Sequence, residues 1–344
     1  MRGDVLDDFL VLIEYIFLLR WFVLFIDSST TKRIKMSFSL FLEAMMSTLP
    51  ITVMTPSYNR AHTLSRVYES LLAQTFQSFE WLIVDDGSTD NTKELVDLWI
   101  AEGKLNIRYV WQTNQHKKAA FNHGVREAKG ELLVALDSDD TMLPDALDDM
   151  WRRWESLENK EQYVGICGLC ANPDGSIVGD KYPQDSISIT TLDMYFRYKV
   201  RGEKFGCLVT DVLRKFPFPE NVPGFVPESL VWRSIARAGY KTLFINHVYR
   251  TYFDSTDSLS REGVMLGDKH ALGLLWLAKD MVNDCLPWFW YQPMEFIKAA
   301  IRYNRFAKVL KKQGQELPVW GQLTDWRAKL LVTIMKPVAS IMYR

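Results

Sequence analysis

The chain has 344 residues, 48% hydrophobic and 24% charged, with a formal net charge of −1. That size and mixture describe an ordinary globular protein with one large domain plus an appendage, or two domains, and the near-neutral balance argues against a dedicated nucleic-acid binder. Four cysteines do not make a disulfide framework in a chain of this length. Cys167 and Cys170 form a lone C-x-x-C with no second pair and no His at zinc spacing, inside an apolar run from 163 to 170, so they read as buried strand thiols in a reducing compartment.

Residues 9 to 26 are apolar except for Glu14 and Arg20. The run is about long enough to cross a thin bilayer, although each charge at mid-helix costs roughly 3 kcal/mol. It is not a secretory signal, because Asp4, Asp7 and Asp8 stand where basic residues belong. Lys32, Arg33 and Lys35 follow it, so a spanning helix would leave the rest of the chain in the cytoplasm. Met46 opens a second start just before the first strand. Residues 1–45 therefore read either as a membrane-associated helix or as an upstream-start addition.

From residue 51 onward, strand and helix patterns alternate. Residues 51–54 predict a strand, broken by Pro56, Ser57 and Asn59; residues 61–74 predict a helix with Leu64, Val67, Tyr68, Leu71 and Leu72 at helical spacing. Residues 79–84 predict a strand that runs into Asp85-Asp86-Gly87-Ser88-Thr89-Asp90, followed by a helix with Leu95, Leu98 and Trp99 inside. A strand over 106–111, a helix over 119–128 and a strand over 132–136 complete a β-α-β-α-β-α-β series, the mark of a sheet between helices.

That last strand ends in Asp137-Ser138-Asp139-Asp140. Three carboxylates cannot be buried unpaired, so they belong at the strand's carboxyl end, facing a cleft where open α/β sheets bind ligands. On extended backbone Asp137 and Asp139 would point the same way, and two hard oxygen ligands describe a Mg²⁺ or Mn²⁺ site. The alternative is a solvated acidic turn that caps the next helix. An EF-hand is excluded, because Thr141 and Met142 stand where Asp or Asn and Gly are required.

The ordered set resembles glycosyltransferase family 2, of the GT-A fold, over roughly residues 49–150. The residues that carry it are Thr55-Pro56-Ser57-Tyr58-Asn59-Arg60, Gln74-Thr75-Phe76, residues 83–90, residues 114–124 (NQHKKAAFNHG), Ala128-Lys129-Gly130-Glu131 and Asp137-Ser138-Asp139-Asp140. Two positions depart: His116 stands where the family usually has Gly, and Phe121 where it usually has Arg. The resemblance implies a GT-A nucleotide-diphospho-sugar transferase fold, a Rossmann-like mixed α/β sheet. It implies that Pro56 and Tyr58 hold the nucleobase and that Asp86 accepts an N–H from uracil or a similar base. Lys117 or Lys118 would lie near the diphosphate, Asp137 would contact ribose or metal, and Asp139 would bind the metal directly. Loop packing for Tyr58, helix capping for Asp86 and solvation for the lysines are the plainer alternatives.

Beyond residue 150 the pattern loosens. Residues 163–171 predict a strand, 187–201 a helix or lid, 202–205 a loop and 239–245 a final strand. A Pro-rich stretch leads to Val226-Pro227-Glu228-Ser229, where the family usually carries Glu-Asp at the start of a helix beside the acceptor. Glu228 is the candidate general base by that resemblance, and favourable charge at a helix N-terminus is its plainer reading. Residues 248–253 and 258–261 resemble the segment that closes over the donor in bacterial members, with Arg250 or Arg261 toward the diphosphate. From about 262 the composition turns aromatic and basic. A helix over 294–312 sets Phe296, Ala299, Ala300, Tyr303, Phe306, Ala307 and Leu310 opposite Lys298, Arg302, Arg305, Lys308 and Lys312, and residues 290–344 hold ten Lys/Arg against three Asp/Glu. Either this region packs on the catalytic domain or it lies in an anionic membrane surface; docking with the basic side toward headgroups combines both.

The expected organisation is an extension at 1–45, a GT-A catalytic domain at 46–261 and a basic amphipathic helical region at 262–344. The expected activity is metal-dependent, inverting transfer from a nucleotide-diphosphate sugar, with a UDP-sugar the candidate, to an acceptor hydroxyl. The expected acceptor is a lipid-linked glycan of surface polysaccharide synthesis, at the cytoplasmic face of the membrane. The rivals are a nucleotidyltransferase, which usually begins with a Gly- and Lys/Arg-rich phosphate loop that residues 55–60 lack, and a non-catalytic membrane scaffold.

Overall fold

The computed structural model describes residues 49–253 and 267–343. The chain divides into two compact units, Met1–Thr48 and Leu49–Arg344, and the second is the one described below. The apolar segment at 9–26 and the segment at 258–261 with Arg261 lie outside the described residues.

The order is β1 (Leu49–Ser57), α1 (Ala61–Leu72), β2 (Phe79–Asp85), α2 (Thr92–Glu102), β3 (Ile107–Trp111), α3 (His116–Glu127), β4 (Gly130–Ala135), β5 (Thr141–Met142), α4 (Ala146–Glu155) and β6 (Tyr163–Ala171). It continues with β7 (Ser186–Ile189), α5 (Thr191–Phe196), β8 (Lys204–Val209), α6 (Thr210–Lys215), α7 (Ser229–Arg237), β9 (Lys241–Thr251), α8 (Ala271–Lys279), α9 (Pro293–Lys312) and α10 (Trp326–Met342). The sheet runs β3-β2-β1-β4-β8-β6-β9-β5, with β7 also on β9. Strands β3, β2, β1 and β4 are parallel, and β8 is antiparallel to both β4 and β6. The chain order reverses between β1 and β4, which opens a crevice at their carboxyl ends.

Residue alternation sorts the two cores. Ile51, Val53, Trp81, Ile83, Leu132 and Val134 pack under α1 and α4, whereas Met54, Leu82, Val84 and Leu133 pack with α3 and α6. Gly124 permits the close approach of α3, since a Cβ there would lie 2.7 Å from Met54 Cγ.

Several expectations need correction. β4 stops at Ala135, and Asp137–Asp140 is a turn in which the Asp140 amide donates to the Asp137 carbonyl at 3.3 Å. The strand-alternation argument for Asp137 and Asp139 therefore does not apply. α3 begins at His116, so Lys117 and Lys118 belong to its first turn and not to a loop. The helix or lid expected over 187–201 is a helix only at α5, after the strand β7, and the expected loop at 202–205 runs into β8. Glycines hid that strand: at Gly206 a Cβ would meet the Ile166 carbonyl oxygen at 1.9 Å, so only glycine fits. β9 continues to Thr251 because Val248, Arg250 and Thr251 pair with β6. The stretch expected to close over the donor is sheet as far as that residue.

Helices α5 and α7–α10 share a separate apolar core around Phe196, Leu275, Phe296 and Phe306. Asp280, just after α8, is 1% exposed and takes Arg237 Nη1 at 2.7 Å and Arg233 Nη1 at 3.2 Å. This ion triad clips α7, and with it the position of Glu228, to the helical cluster.

Candidate active site

Four loops meet at the carboxyl edge of the parallel strands. The loop after β1 and the loop after β2 are stitched together by Asn59, which adopts φ 54°. Its Oδ1 accepts the Thr89 amide at 2.8 Å and the Asp90 amide at 3.3 Å, and its own amide donates to Ser88 Oγ at 2.8 Å. Tyr58 is left 48% exposed at the rim, and Pro56 is half-buried. Ser57 Oγ beside them is buried without a hydrogen-bond partner, an open polar atom of the kind a ligand satisfies. Asp86 is buried, and its Oδ1 accepts Gln112 Nε2 at 2.7 Å and the Gln115 amide at 2.9 Å. One of its oxygens thus orders the approach to α3.

The acidic turn forms the floor. Gln74 fixes the chain beyond it, donating to the Leu143 carbonyl at 2.8 Å and accepting the Leu147 amide at 3.2 Å. Arg66 Nη1 donates to the Asp139 carbonyl at 2.9 Å. Arg250 is buried on β9 and reaches Asp140 Oδ2 at 3.1 Å and Asp137 Oδ2 at 3.5 Å through Nη1, and Glu203 at 3.5 Å through Nη2. It is no surface arginine. Burial pushes the Asp140 carboxyl up to about 7, with Asp137 and Asp139 adding to the rise and Arg250 and the Phe253 amide opposing it.

Lys117 connects the two halves of the site. Its Nζ lies 2.8 Å from Asp137 Oδ1 and 3.2 Å from Glu228 Oε1. Burial works to lower the lysine pKa, but the two carboxylates outweigh it and raise it, so Lys117 stays a cation. Burial likewise opposes ionisation of Asp137, yet Lys117 and then Arg250 hold its carboxyl below the usual range. Lys118 turns the other way. It donates to the carbonyls of Val222 and Gly224, the latter at 3.1 Å, and burial lowers its pKa. Asn122 exchanges hydrogen bonds with the Phe218 backbone, both at 2.8 Å. Lys118 and Asn122 therefore hold the Pro-rich loop that delivers Glu228, and the expected place of Lys118 beside a diphosphate gives way to that task.

Comparison with known proteins now decides the family. The model of "Glycosyl transferase family 2" matches residues 52–207. Glycosyltransferase GlyG of Streptococcus pneumoniae is 36% identical over 289 residues, covering 80% of this chain and 91% of that protein. The chain belongs to glycosyltransferase family 2. This family 2 member is also 28% identical over 246 residues to the GalNAc(5)-diNAcBac-PP-undecaprenol beta-1,3-glucosyltransferase of Campylobacter jejuni, covering 68% of this chain and 74% of that protein. An uncharacterized glycosyltransferase of Nostoc is 40% identical over 99 residues, and the match spans only 31% of that protein. Among solved structures, S. aureus TarS 1-349 in complex with UDP-GlcNAc aligns with a TM-score of 0.54 at 18% identity, over 86% of this chain and 91% of that one. The mannosyltransferase PcManGT of Pyrobaculum calidifontis, in complex with GDP-Man and Mn²⁺, aligns at 0.51 and 17% identity, over 92% and 90%. These structures share the GT-A fold.

The protein is thus a glycosyltransferase. The structure brings Asp137, Lys117, Arg250 and Glu228 into one linked set and keeps Tyr58 and Pro56 on the neighbouring rim. Glu203 and Arg66 escaped the sequence reading, because only the strand pairing and helix packing bring them to the acidic turn. The φ of 70° at His116 gives a reason for glycine at that position, since the backbone there is left-handed and strain of about 1–3 kcal/mol falls on any larger residue.

Proposed function

We propose that this glycosyltransferase moves a sugar from a nucleotide-diphosphate donor, with a UDP-sugar the first candidate, to a hydroxyl of a lipid-linked glycan, with inversion at the anomeric carbon. The observation that carries it is the single ammonium of Lys117 between Asp137, on the sheet's ligand edge, and Glu228, at the start of α7. On this reading Asp137 would be the donor-side acid and Glu228 the acceptor-side carboxylate, and both would reach one bound sugar.

Tyr58 and Pro56 would flank the base, with Asp86 behind them. The exposed face of Tyr58 suits stacking. Lys117 and Arg250, the cations that face Asp137, would meet the diphosphate. Glu228 would take the acceptor proton as its oxygen attacks from the side opposite the leaving group. Among the described residues no three His, Cys, Asp or Glu side chains could hold a metal by themselves. On this reading Asp139, with Asp137, would supply the one or two carboxylates of a Mg²⁺ or Mn²⁺ site that water and substrate phosphates complete. When bound, such an ion supplies charge neutralisation for the leaving diphosphate.

The lipid-linked acceptor rests on the name of the Campylobacter relative and on the basic C-terminal region, which together suit work at the cytoplasmic surface of a membrane. The test is a thermal-shift titration with UDP and Mn²⁺. Bound ligand stabilises as RT ln(1 + [L]/Kd), about 2.7 kcal/mol at a hundredfold excess over Kd. Asp139→Asn should lose the metal-dependent part of that shift while keeping the native circular dichroism spectrum. An unchanged shift would remove Asp139 from the metal site.

A further inference from the structure

Helix α10 carries two apolar faces, of which one is packed among the described residues. Ala328, Val332 and Ala339 are its buried residues. Trp326, Leu330, Ile334, Val338 and Ile341 are 70%, 52%, 55%, 39% and 70% exposed. Their spacing of four, four, four and three places them along one side of the helix. Lys329, Thr333, Lys336 and Ser340 are exposed on a third side. From 326 to 344 the chain has four Lys/Arg and no acidic residue. A contiguous apolar stripe of this kind marks an interaction surface.

We propose that this stripe lies in the headgroup–acyl boundary of an anionic bilayer, with Trp326, Leu330, Ile334, Val338 and Ile341 inserted and Lys329 and Lys336 meeting the lipid phosphates. Charge and length select this occupant. At 17 residues α10 is about 25 Å long, and no helix among the described residues is long and apolar enough to cross a membrane, so a bilayer can receive α10 only along its surface. A second copy is a poorer partner. A twofold contact through this face would set Lys329 and Lys336 near their own images, and the N-cap acid Asp325 is already taken by Arg327 at 2.7 Å. The inference deepens the membrane-surface part of the proposed function, and its test needs no sugar transfer.

The experiment is co-sedimentation of the full chain with vesicles of phosphatidylcholine alone or mixed with phosphatidylglycerol. Wild type should partition at least about tenfold better onto the anionic vesicles, because cationic residues near the surface each add attraction. Leu330→Glu with Ile334→Glu should lower that partitioning about tenfold or more while the thermal midpoint stays within about 2 °C, since both sites are solvent-facing and lose only their contact with lipid. Lys329→Glu with Lys336→Glu should abolish the preference for anionic vesicles and serves as the second variant if the first fails to fold. Wild type that stays in the supernatant overturns the proposal. So does undiminished binding of both double variants, which would assign attachment to another segment such as residues 9–26. If sedimentation velocity finds a wild-type dimer that Leu330→Glu/Ile334→Glu dissolves, the face belongs to a second copy.

Discussion

Glu228→Gln separates binding from chemistry, and the structure sets the scale of each. The substitution keeps shape and removes the charge that Lys117 meets at 3.2 Å. The side chains of that pair are 51% and 40% exposed, so solvent screens the contact and its worth is at most about 1 kcal/mol. Lys117 also keeps Asp137 at 2.8 Å, which leaves the donor edge in place. Donor affinity should therefore change by less than about fivefold, since tenfold corresponds to 1.4 kcal/mol. Loss of a positioned base typically lowers the rate about 10²–10⁴-fold. The expected result is a nearly unchanged Kd for UDP-sugar by calorimetry, together with a kcat down by that larger factor in a product-release assay. Near-normal turnover would place the base elsewhere. Glu220, in the Pro-rich loop before Glu228, is already held by Asn122 Nδ2 at 2.8 Å and Arg126 at 3.2 Å. A donor Kd raised more than tenfold would instead make Glu228 a donor-site residue and overturn its acceptor-side placement.

Two further outcomes follow from buried charge. Asp280→Ala strands Arg233 and Arg237, and breaking a buried pair costs about 3–5 kcal/mol. The thermal midpoint should fall by roughly 6 °C or more, and a drop under about 2 °C would mean the triad is not what holds α7. Asp149 is buried, and its Oδ2 accepts Arg153 Nε at 2.7 Å and Tyr249 Oη at 2.8 Å. Burial opposes its ionisation, but these hydrogen bonds win and its pKa is lowered. A depressed folded-state pKa adds stability that is complete above the unfolded value of about 3.9 and is lost as pH falls through the folded one. The stability gap between wild type and Asp149→Asn in urea melts should therefore be full at pH 7 and shrink below about pH 4. A gap independent of pH would contradict the assignment.

Much of the parallel half of the sheet was legible in the chain itself. The nearly continuous apolar runs at 79–84 and 132–136 report local backbone geometry, and clustered acids at a strand's end must meet solvent, a ligand or a cation. Glycine and proline mislead where they serve a strand: β1 runs through Pro56 to Ser57 although that proline was read as its break, and Gly206 hid β8, so residues 202–205 were read as loop. The motif residues Gln74 and Asn122 were visible as letters, yet their work, pinning the loops beyond the acidic turn and before Glu228, needed the folded chain. The tertiary structure alone decided which charges meet. Lys117 could have been a solvated loop lysine and Arg250 a surface arginine. Starting α3 at His116 turned the first between Asp137 and Glu228, and extending β9 to Thr251 buried the second beside Asp137 and Asp140. Periodicity is a short-range property that each segment carries with it. The pairing of an acid with a cation from a distant element depends on strand order, register and helix start, and those are settled by the packing of the whole sheet.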